Sequence, residues 1–186
     1  RNWVWEHSLE RGATWHWILD DNLQCFIRIN NNRKRRIVDE NPFVEAEQFV
    51  ARYSNVAIAG LNYQWLAKAR DAVPPFYLNT RVYSCILIRN DISYRWRGRY
   101  NEDTDLCLRI LKDGWCTVLF NSMAVDKAAT LTMKGGNTDE LYQDDGRLKM
   151  AESLREQHPD IVKVTMKWGR PQHHVDYSVF KHNTLR

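Results

Sequence analysis

The stretch YNEDTDLCLRILKDGWCTVLF, residues 100–120, carries the clearest succession of elements in the chain. Between Asp103 and Leu111 the apolar residues recur at helical spacing, and Asp113-Gly114 interrupts the pattern. A short apolar run, residues 115–120, follows at once and is typical of a strand. The stretch therefore predicts a helix over 103–111 that leads directly into a strand over 115–120.

Periodicity predicts further helices and strands on both sides of this stretch. Helices are expected over 2–11, 42–53 and 147–157, and strands over 15–19, 23–29, 56–59, 82–88 and 162–168. Strands and helices alternate with short connections, which is typical of a mixed α/β sheet covered by helices. With 186 residues, 44% of them hydrophobic, the chain can bury one core, so we expect a single domain over 1–186.

Composition narrows the class of protein. The longest apolar runs fall far short of the roughly 20 residues that a membrane-spanning helix needs, so we expect no membrane association. The four cysteines occur singly inside apolar runs, without the spacing of a zinc site, and we interpret them as reduced core residues. No secretory leader pattern begins the sequence, and a cytoplasmic location is expected.

Two carboxylates and an amide follow the predicted strand 15–19, which we interpret as buried. Asp20, Asp21 and Asn22 stand just outside its carboxyl end, where ligands of open α/β sheets bind. Mg²⁺ and Mn²⁺ prefer oxygen ligands and commonly bridge one or two carboxylates to substrate phosphates. The same residues are also typical of a turn between two strands, and the motif taken alone favours the turn.

A second acidic cluster begins the predicted helix 103–111. Glu102 and Asp103 lie in its first turn, where the helix dipole favours a negative charge, and a carboxylate held there can accept a proton from an incoming hydroxyl. An acidic helix start balanced by Arg109 and Lys112 is also a common structural feature. The two acidic motifs in this order, about 80 residues apart, are more specific than either one alone.

The net charge is +4, and the basic residues are clustered. One run, Arg33–Arg36, is by itself more typical of a solvated surface loop. A second cluster alternates arginine with aromatic residues: Arg95, Trp96, Arg97, Arg99 and Tyr100. Because arginines and aromatic rings on one face can bind phosphates and stack on bases or sugars, we interpret these five as candidate substrate-binding residues.

The segments 17–22 and 101–115 together resemble the DxD metal motif and the catalytic Glu-Asp element of GT-A glycosyltransferases. This resemblance covers the layout of residues 1–125. Within that class, the segments ILDDN, YRWRGRYNED and TLTMKGGNTDELY resemble the glycosyltransferases found beside TET/JBP-type oxygenases in phages and kinetoplastids. The resemblance implies a GT-A-like fold with a mixed, mostly parallel sheet flanked by helices. It also implies transfer of a sugar to a hydroxymethylated pyrimidine in DNA, such as hydroxymethylcytosine.

The resemblance also assigns catalytic and metal-binding roles. Asp103 would be the base of an inverting transfer, with Glu102 beside it. The ion, Mn²⁺ or Mg²⁺, would be held by Asp20, Asn22 and a late histidine, either His173 or His174.

The donor implied by the resemblance is a nucleotide-sugar of the UDP-glucose type. It would contact Asp20 and Asp21, and a glycine-containing loop would meet its diphosphate through Lys134, Gly135 and Gly136. Glycines permit this because they let backbone N–H groups approach a phosphate closely.

The layout of the family leads to two expectations about organisation. GT-A folds usually begin with a nucleotide-binding βαβ unit, and only 19 residues precede Asp20, so we expect that unit to be truncated. Residues 1–125 are expected to form the core from the DxD motif to the Glu-Asp element. Residues 126–186 are expected to bind the acceptor and complete the metal site.

Two other functions fit the same residues. One is a glycosyltransferase that acts on protein or polysaccharide, whose acceptor groove would use the tryptophans for sugar stacking. The other is a catalytically inactive nucleic-acid-binding module that keeps the fold and its basic, aromatic surface.

Overall fold

The structure is a computed structural model and describes residues 1–30, 33–67, 73–128 and 146–186. Its helices are α1 (Asn2–Glu10), α2 (Pro42–Val50), α3 (Glu102–Lys112) and α4 (Gly146–Gln157), and a 3₁₀ helix spans Tyr177–Phe180. Its strands are β1 (Trp15–Leu19), β2 (Leu23–Asn30), β3 (Arg33–Arg36), β4 (Val56–Tyr63), β5 (Phe76–Leu78), β6 (Cys85–Arg89), β7 (Cys116–Lys127), β8 (Val162–Lys167) and β9 (Arg170–Val175). None of the helices in these ranges is long and apolar enough to cross a membrane.

Seven strands form one mixed sheet in the order β1-β6-β4-β7-β2-β3, and β5 also pairs with β7. β4 and β7 run parallel, whereas the other pairings described in this sheet are antiparallel. The sequence VAIAGLNY of β4 explains its central place, because every residue before Tyr63 is buried. Strands covered on both faces are near-continuous apolar runs of this type.

Helices cover both faces of the large sheet. On one face the core includes Trp5 of α1, Leu106 of α3 and Ile86 of β6. On the other face Ala46 of α2 packs in a cluster with Leu87 of β6. Ile86 and Leu87 are neighbours along one strand, and successive side chains of a strand point to opposite faces.

A second layer covers the outer side of α3. Leu108 and Leu111 of this helix form a core cluster with Leu154 of α4 and Phe180 of the 3₁₀ helix. β8 and β9, which follow α4, form a separate two-stranded sheet. Since α3 is packed on both sides, even its polar residue Asp105 is buried.

The predicted mixed α/β sheet flanked by helices is confirmed. The expectation that the sheet is mostly parallel was wrong, because within the described residues only β4 and β7 pair in parallel. β1, interpreted as buried, lies at the edge of the sheet, and His16 is its one buried residue. The order of strands along the chain does not reveal which of them become neighbours in space, since β1 pairs with β6 rather than with β2.

Arg33–Arg36, interpreted as a surface loop, forms the edge strand β3 and pairs antiparallel with β2. All four side chains are exposed, so the strand has no apolar alternation that periodicity could detect. Charged residues on an edge strand hinder pairing with another molecule, which explains their place here.

The sequence analysis also missed strand β9, which forms a hairpin with β8. The two residues between the strands, Trp168 and Gly169, have φ angles of 52° and 70°. A two-residue turn with positive φ at both positions matches the twist of a β-hairpin. Tryptophan is an unusual residue at such a position, and the turn was therefore not evident from the sequence.

The cysteines were interpreted as unpaired core residues, and none of the four forms a disulfide. Cys85, Cys107 and Cys116 are buried, whereas Cys25 is half-buried.

Gly60→Ala is expected to lower the free energy of unfolding by about 3 kcal/mol or more. Gly60 lies in β4, and an added Cβ would lie 2.3 Å from the carbonyl oxygen of Cys85 and 2.4 Å from Cγ1 of Val82. The backbone of β4 cannot move away without disturbing its pairing with β6. Urea denaturation measures the loss.

Gly12→Ala is the matched control for this experiment. A Cβ at Gly12 meets nothing within 4 Å, so only its positive φ of 69° costs free energy, about 1–2 kcal/mol. Equal losses in the two variants would show that close packing at Gly60 is not a constraint.

Candidate active site

Asp20 follows β1 and is held by groups from two other strands. Its backbone N–H donates to the carbonyl of Ser84 at 2.8 Å. Its Oδ2 accepts hydrogen bonds from Ser84 Oγ at 2.6 Å and from Lys127 Nζ at 2.7 Å. Ser84 directly precedes β6 and Lys127 ends β7, so three elements of the sheet position this carboxylate.

Tyr63 completes a set of contacts that we call the Asp20 network: Asp20, Tyr63, Ser84 and Lys127. The Tyr63 hydroxyl is hydrogen-bonded to Ser84 Oγ and lies 3.4 Å from Lys127 Nζ. Burial raises the pKa of Tyr63, which therefore stays protonated at neutral pH. Burial by itself would lower the pKa of Lys127, but the contacts with Asp20 and Tyr63 have a larger, opposite effect. The pKa of Lys127 is therefore raised, and the amine stays charged. The network thus keeps a positive charge next to Asp20.

Glu102 and Asp103 occupy the first turn of α3. Asn101 precedes them with a φ of 52°, in the left-handed region, and the chain turns there into the helix. Asn101 Nδ2 donates to the carbonyl of Met150 in α4 at 2.7 Å. This bond connects the start of α3 to the layer that covers its outer side.

The guanidinium of Arg1 contacts both acidic clusters. Arg1 Nη1 donates to Asp103 Oδ1 and lies 3.3 Å from Glu102 Oε1, and Arg1 Nη2 lies 3.7 Å from Asp20 Oδ1. The guanidinium carbon also stacks over the ring of Trp96, 4.6 Å from its centroid. Asp20 and Asp103, far apart in the sequence, therefore face the same cationic group.

The pKa of Asp103 is raised to about 6. Burial is the main cause because it disfavours the charged form, and the negative charges of Glu102 and Asp20 add to the rise, while Arg1 opposes it. A general base works best when its pKa is near the operating pH. The carboxylate of Asp103 is thus ionised at neutral pH and able to accept a proton.

Oxygen atoms that could bind a divalent cation are present after β1. Asp20 Oδ1 takes no part in the bonds to Ser84 and Lys127. Asn22 Oδ1 is buried and has no hydrogen-bond partner among the described residues. Within those residues no group of three or more His, Cys, Asp or Glu could hold a metal ion by itself. The donors present therefore fit a cation such as Mg²⁺, which completes its ligands with water and substrate phosphates.

The two histidines predicted as metal ligands lie in β9. Arg81 Nη1 donates to His173 Nε2 at 3.4 Å, and both histidines line a cleft that includes Arg81. Burial, and then the charge of Arg81, lowers the pKa of His173 to about 4. Within the described residues no hydrogen bond or ion pair joins either histidine to Asp20, and their role as metal ligands stays a prediction.

Of the four remaining residues predicted to contact the donor, the structure describes one. Asp21 is exposed in the turn after β1. Lys134, Gly135 and Gly136 lie outside the described residues. Their contacts with a donor stay predictions.

The predicted substrate-binding cluster has contacts within the protein. Arg95 Nε donates to Glu6 of α1 at 2.6 Å, and Arg97 donates to both oxygens of Asp105 at 3.0 and 2.9 Å. Trp96 is only 8% exposed. These three residues hold the segment before α3 in place, and a role in substrate binding stays a prediction for them.

The outer part of the same cluster is more accessible. Arg99 is exposed, and its guanidinium carbon lies 5.9 Å from the centroid of the half-buried ring of Tyr100. This stacked pair stays a predicted substrate contact.

Asp105 is an essential residue that the sequence analysis did not single out. It is fully buried and accepts hydrogen bonds from Arg97, from Arg109 one turn later in α3, and from His158 after α4. Burial alone would raise its pKa, but His158, Arg97 and Arg109 outweigh this effect and hold the pKa well below its usual range. The spacing of Asp105 and Arg109, one helical turn apart, was the available signal in the sequence.

The sequence analysis also missed the residues that surround Asp20. Arg1, Tyr63, Ser84 and Lys127 occur singly and far from both acidic motifs. Ser84 lies within the predicted strand 82–88, and its φ of 65° is in the left-handed region. Only the folded chain reveals that Arg1, Ser84 and Lys127 contact one carboxylate. Tyr63 in turn contacts Ser84 and Lys127.

A family profile described as TET-associated glycosyltransferase matches residues 1–136, which include Asp20, Glu102, Asp103 and Lys127. The chain belongs to this family. No curated protein and no solved structure matches the chain. The resemblance stated from the sequence motifs is thereby confirmed at the level of the family.

Family membership makes the chain a glycosyltransferase, an enzyme that takes a sugar from a nucleotide-sugar donor and transfers it to an acceptor. All residues of the Asp20 network lie within the matched part of this glycosyltransferase. α4, β8 and β9 lie beyond it.

Asp105→Asn is expected to lower the free energy of unfolding at pH 7 by about 3 kcal/mol, because a buried ion-pair network loses its charge balance. The acid dependence of stability should change as well. The pKa of Asp105 in the folded protein is below the value of about 3.9 in the unfolded chain. Its contribution to the free energy of unfolding is therefore fully present above about pH 3.9 and is lost as the pH falls below that value. Urea denaturation between pH 3 and pH 7 measures both effects.

Asp91→Asn is the control for Asp105→Asn. Asp91 is 59% exposed and pairs with Arg89 at the surface, so its replacement is expected to cost less than about 1 kcal/mol. Similar losses for both variants would contradict a special role of the buried network.

Proposed function

We propose that this glycosyltransferase is inverting and metal-dependent, and that it moves a sugar from a UDP-glucose-like donor to a hydroxymethylated pyrimidine in DNA. The observation that carries the proposal is the contact of Arg1 with Asp20, Glu102 and Asp103. Because both acidic clusters lie around the guanidinium of Arg1, they are close enough to form one site, and this supports binding of the metal ion and of the reacting sugar next to each other.

The proposed base is Asp103. Its carboxylate accepts the proton of the acceptor hydroxyl, and the hydroxyl oxygen forms a bond to the anomeric carbon while the bond from that carbon to the diphosphate oxygen breaks. Attack from the face opposite to the leaving group inverts the configuration. The raised pKa of Asp103, about 6, supports this role, because the carboxyl can hold the proton until solvent takes it.

Asp20 and Asn22 are the proposed ligands of the divalent cation. When bound, the cation would act as a Lewis acid that neutralises charge on the leaving diphosphate. Ser84 and Lys127 bind Oδ2 of Asp20, whereas Oδ1 lies 3.7 Å from Arg1 Nη2, a contact that the bound cation would replace. Lys127 also keeps one positive charge close to the proposed diphosphate site.

The DNA acceptor rests on the resemblance of ILDDN, YRWRGRYNED and TLTMKGGNTDELY to glycosyltransferases that accompany TET/JBP-type oxygenases. The four exposed basic side chains of β3 support a polyanionic acceptor. Incubation with Mn²⁺ and labelled UDP-glucose tests the proposal, with hydroxymethylcytosine DNA, plain DNA, a protein and a polysaccharide as separate acceptors. Label in the modified DNA alone is expected, and label in protein or polysaccharide instead would assign the acceptor to another class.

Asp103→Asn is expected to lower kcat/KM by a factor of about 10² to 10⁴ while donor binding is retained. In the unchanged enzyme, kcat/KM should fall about tenfold per pH unit below pH 6, because the base becomes protonated. Initial rates between pH 5 and pH 8 measure both. Asp160→Asn, which removes an exposed carboxylate paired with Lys112, should leave the rates unchanged.

Stability provides a second measurement for Asp103→Asn. The folded pKa is raised above that of the unfolded chain, so the folded protein binds the extra proton between about pH 4 and pH 6 and loses stability as the pH rises through that range. Asparagine cannot ionise, so the variant should lose less stability there. Full activity of the variant would exclude Asp103 as the base.

Lys127→Met is expected to weaken Mn²⁺-dependent binding of UDP by about 10-fold to 100-fold, because Asp20 loses a partner that orients it. Calorimetry with Mn²⁺ and UDP measures the change. Lys112→Met removes a lysine that pairs with Asp160 outside this network and serves as the control. Equal affinities of the Lys127 variant and the unchanged protein would exclude a role of Lys127 in orienting Asp20.

A further inference from the structure

A cleft of about 490 Å³ lies between the segment before β6, α4 and the β8–β9 hairpin. We call it the basic cleft, because it is lined by the cationic side chains Arg81, Arg147 and Lys167 and by two histidines. No Asp or Glu of the described residues lines it. Its volume is in the range of sites that bind small molecules or parts of larger ones.

Within the described residues, Arg81 lacks the carboxylate partner that comparable side chains have. The half-buried cations Arg28, Arg89, Arg95, Arg109 and Lys127 each form an ion pair with an acidic side chain. Arg81 is also half-buried, but its side chain contacts His173 Nε2 and the ring of Tyr83, with its guanidinium carbon 5.0 Å from the ring centroid. Among the described residues no carboxylate lies within 4.0 Å of its guanidinium nitrogens. An anionic ligand would compensate this charge.

An exposed aromatic residue lies at the rim of the basic cleft. Trp168 is 80% exposed in the turn of the β8–β9 hairpin, and Lys167 Nζ lies 4.4 Å from its ring centroid. Met166 on the same hairpin is 70% exposed. Solvent exposure of a tryptophan next to a cationic cleft is typical of surfaces that stack on nucleic-acid bases.

The basic cleft borders the proposed catalytic base. Asn101 lines the cleft and stands two residues before Asp103 at the start of α3. Asp20 and Asp103 do not line the cleft themselves, so it lies beside the two acidic clusters rather than between them.

We propose that the basic cleft binds the sugar-phosphate backbone of a nucleic-acid strand and that Trp168 stacks on one of its bases. This inference rests on the proposed function, because it assigns the cleft to the acceptor. Arg81, Arg147 and Lys167 bind phosphates, and the strand leaves the cleft past Lys167. A strand offers successive phosphates to the cations of the cleft and a base to the exposed ring.

The residues of the basic cleft are not those of the basic, aromatic cluster predicted from the sequence. Arg95 and Arg97 pair with Glu6 and Asp105, whereas Arg81 and Lys167 have no such partner in the described part of the chain. Cations without a carboxylate partner are the ones that attract a polyanion most strongly, since no internal ion pair has to be broken.

Fluorescence anisotropy with a labelled single-stranded DNA of about 12 nucleotides tests the inference. Arg81→Ala and Lys167→Ala are each expected to raise Kd about fivefold and to reduce the slope of log Kd against log salt by about 0.7. Trp168→Ala is expected to raise Kd about fivefold or more with an unchanged slope, because stacking involves no counterion. Arg155→Ala, an exposed arginine of α4 that does not line the cleft, should bind like the unchanged protein.

Lys167 and Trp168 are exposed, so their replacement leaves the core intact, and unchanged circular dichroism and thermal unfolding check this. The proposal is overturned if the unchanged protein does not bind the DNA, or if Arg81→Ala, Lys167→Ala and Trp168→Ala bind it like Arg155→Ala.

A transfer assay separates this inference from the proposed function. With a hydroxymethylcytosine oligonucleotide as acceptor, the cleft variants should show a KM raised about as much as Kd. With the free hydroxymethyl-deoxycytidine nucleoside, which has no phosphate for Lys167 to bind, Lys167→Ala should raise KM by a smaller factor than with the oligonucleotide. If neither acceptor is glycosylated but the variants still weaken DNA binding, the proposed function fails and the binding role of the cleft stands.

Discussion

The buried charge of Asp105 is the interaction on which the arrangement of the site depends. α3 is packed between the large sheet and α4, and this removes Asp105 from water. A buried carboxylate is tolerated only when donors surround it, and Arg97, Arg109 and His158 supply them. These donors belong to the segment before α3, to α3 itself and to the end of α4. One charge therefore holds together the three parts of the chain that present Asp103.

In the candidate site, by contrast, the negative charges of the carboxylates are only partly balanced by cations. Burial, together with the nearby charges of Glu102 and Asp20, raises the pKa of Asp103. One guanidinium, that of Arg1, contacts all three carboxylates. Asp20 accepts a hydrogen bond from Lys127, whereas Asp103 has Arg1 as its cationic partner. The two carboxylates thus have different partners, and the proposed mechanism gives them different roles.

Much of the fold was evident from the sequence. The helices α1–α4 and the strands β1, β2, β4, β6, β7 and β8 were predicted, because each combines a clear apolar pattern with a polar break. β3, β5 and β9 were missed. Arg33–Arg36 has no apolar side chain, β5 has only three residues, and the hairpin turn before β9 contains Trp168. The pairing of strands was not evident either. It depends on which apolar faces meet, and periodicity within one strand does not describe this.

The sequence by itself determined that the chain is an α/β glycosyltransferase with two acidic motifs, because local patterns such as ILDDN and NED carry this information. Only the tertiary structure decided which residues surround those motifs. Ser84 and Lys127 are single polar residues that reach Asp20 from different elements. Arg81 is recognisable as an arginine without a carboxylate partner among the described residues only when its neighbours are known. The reason is physical: pKa values, charge balance and clefts depend on distances through space, which the order of residues does not contain.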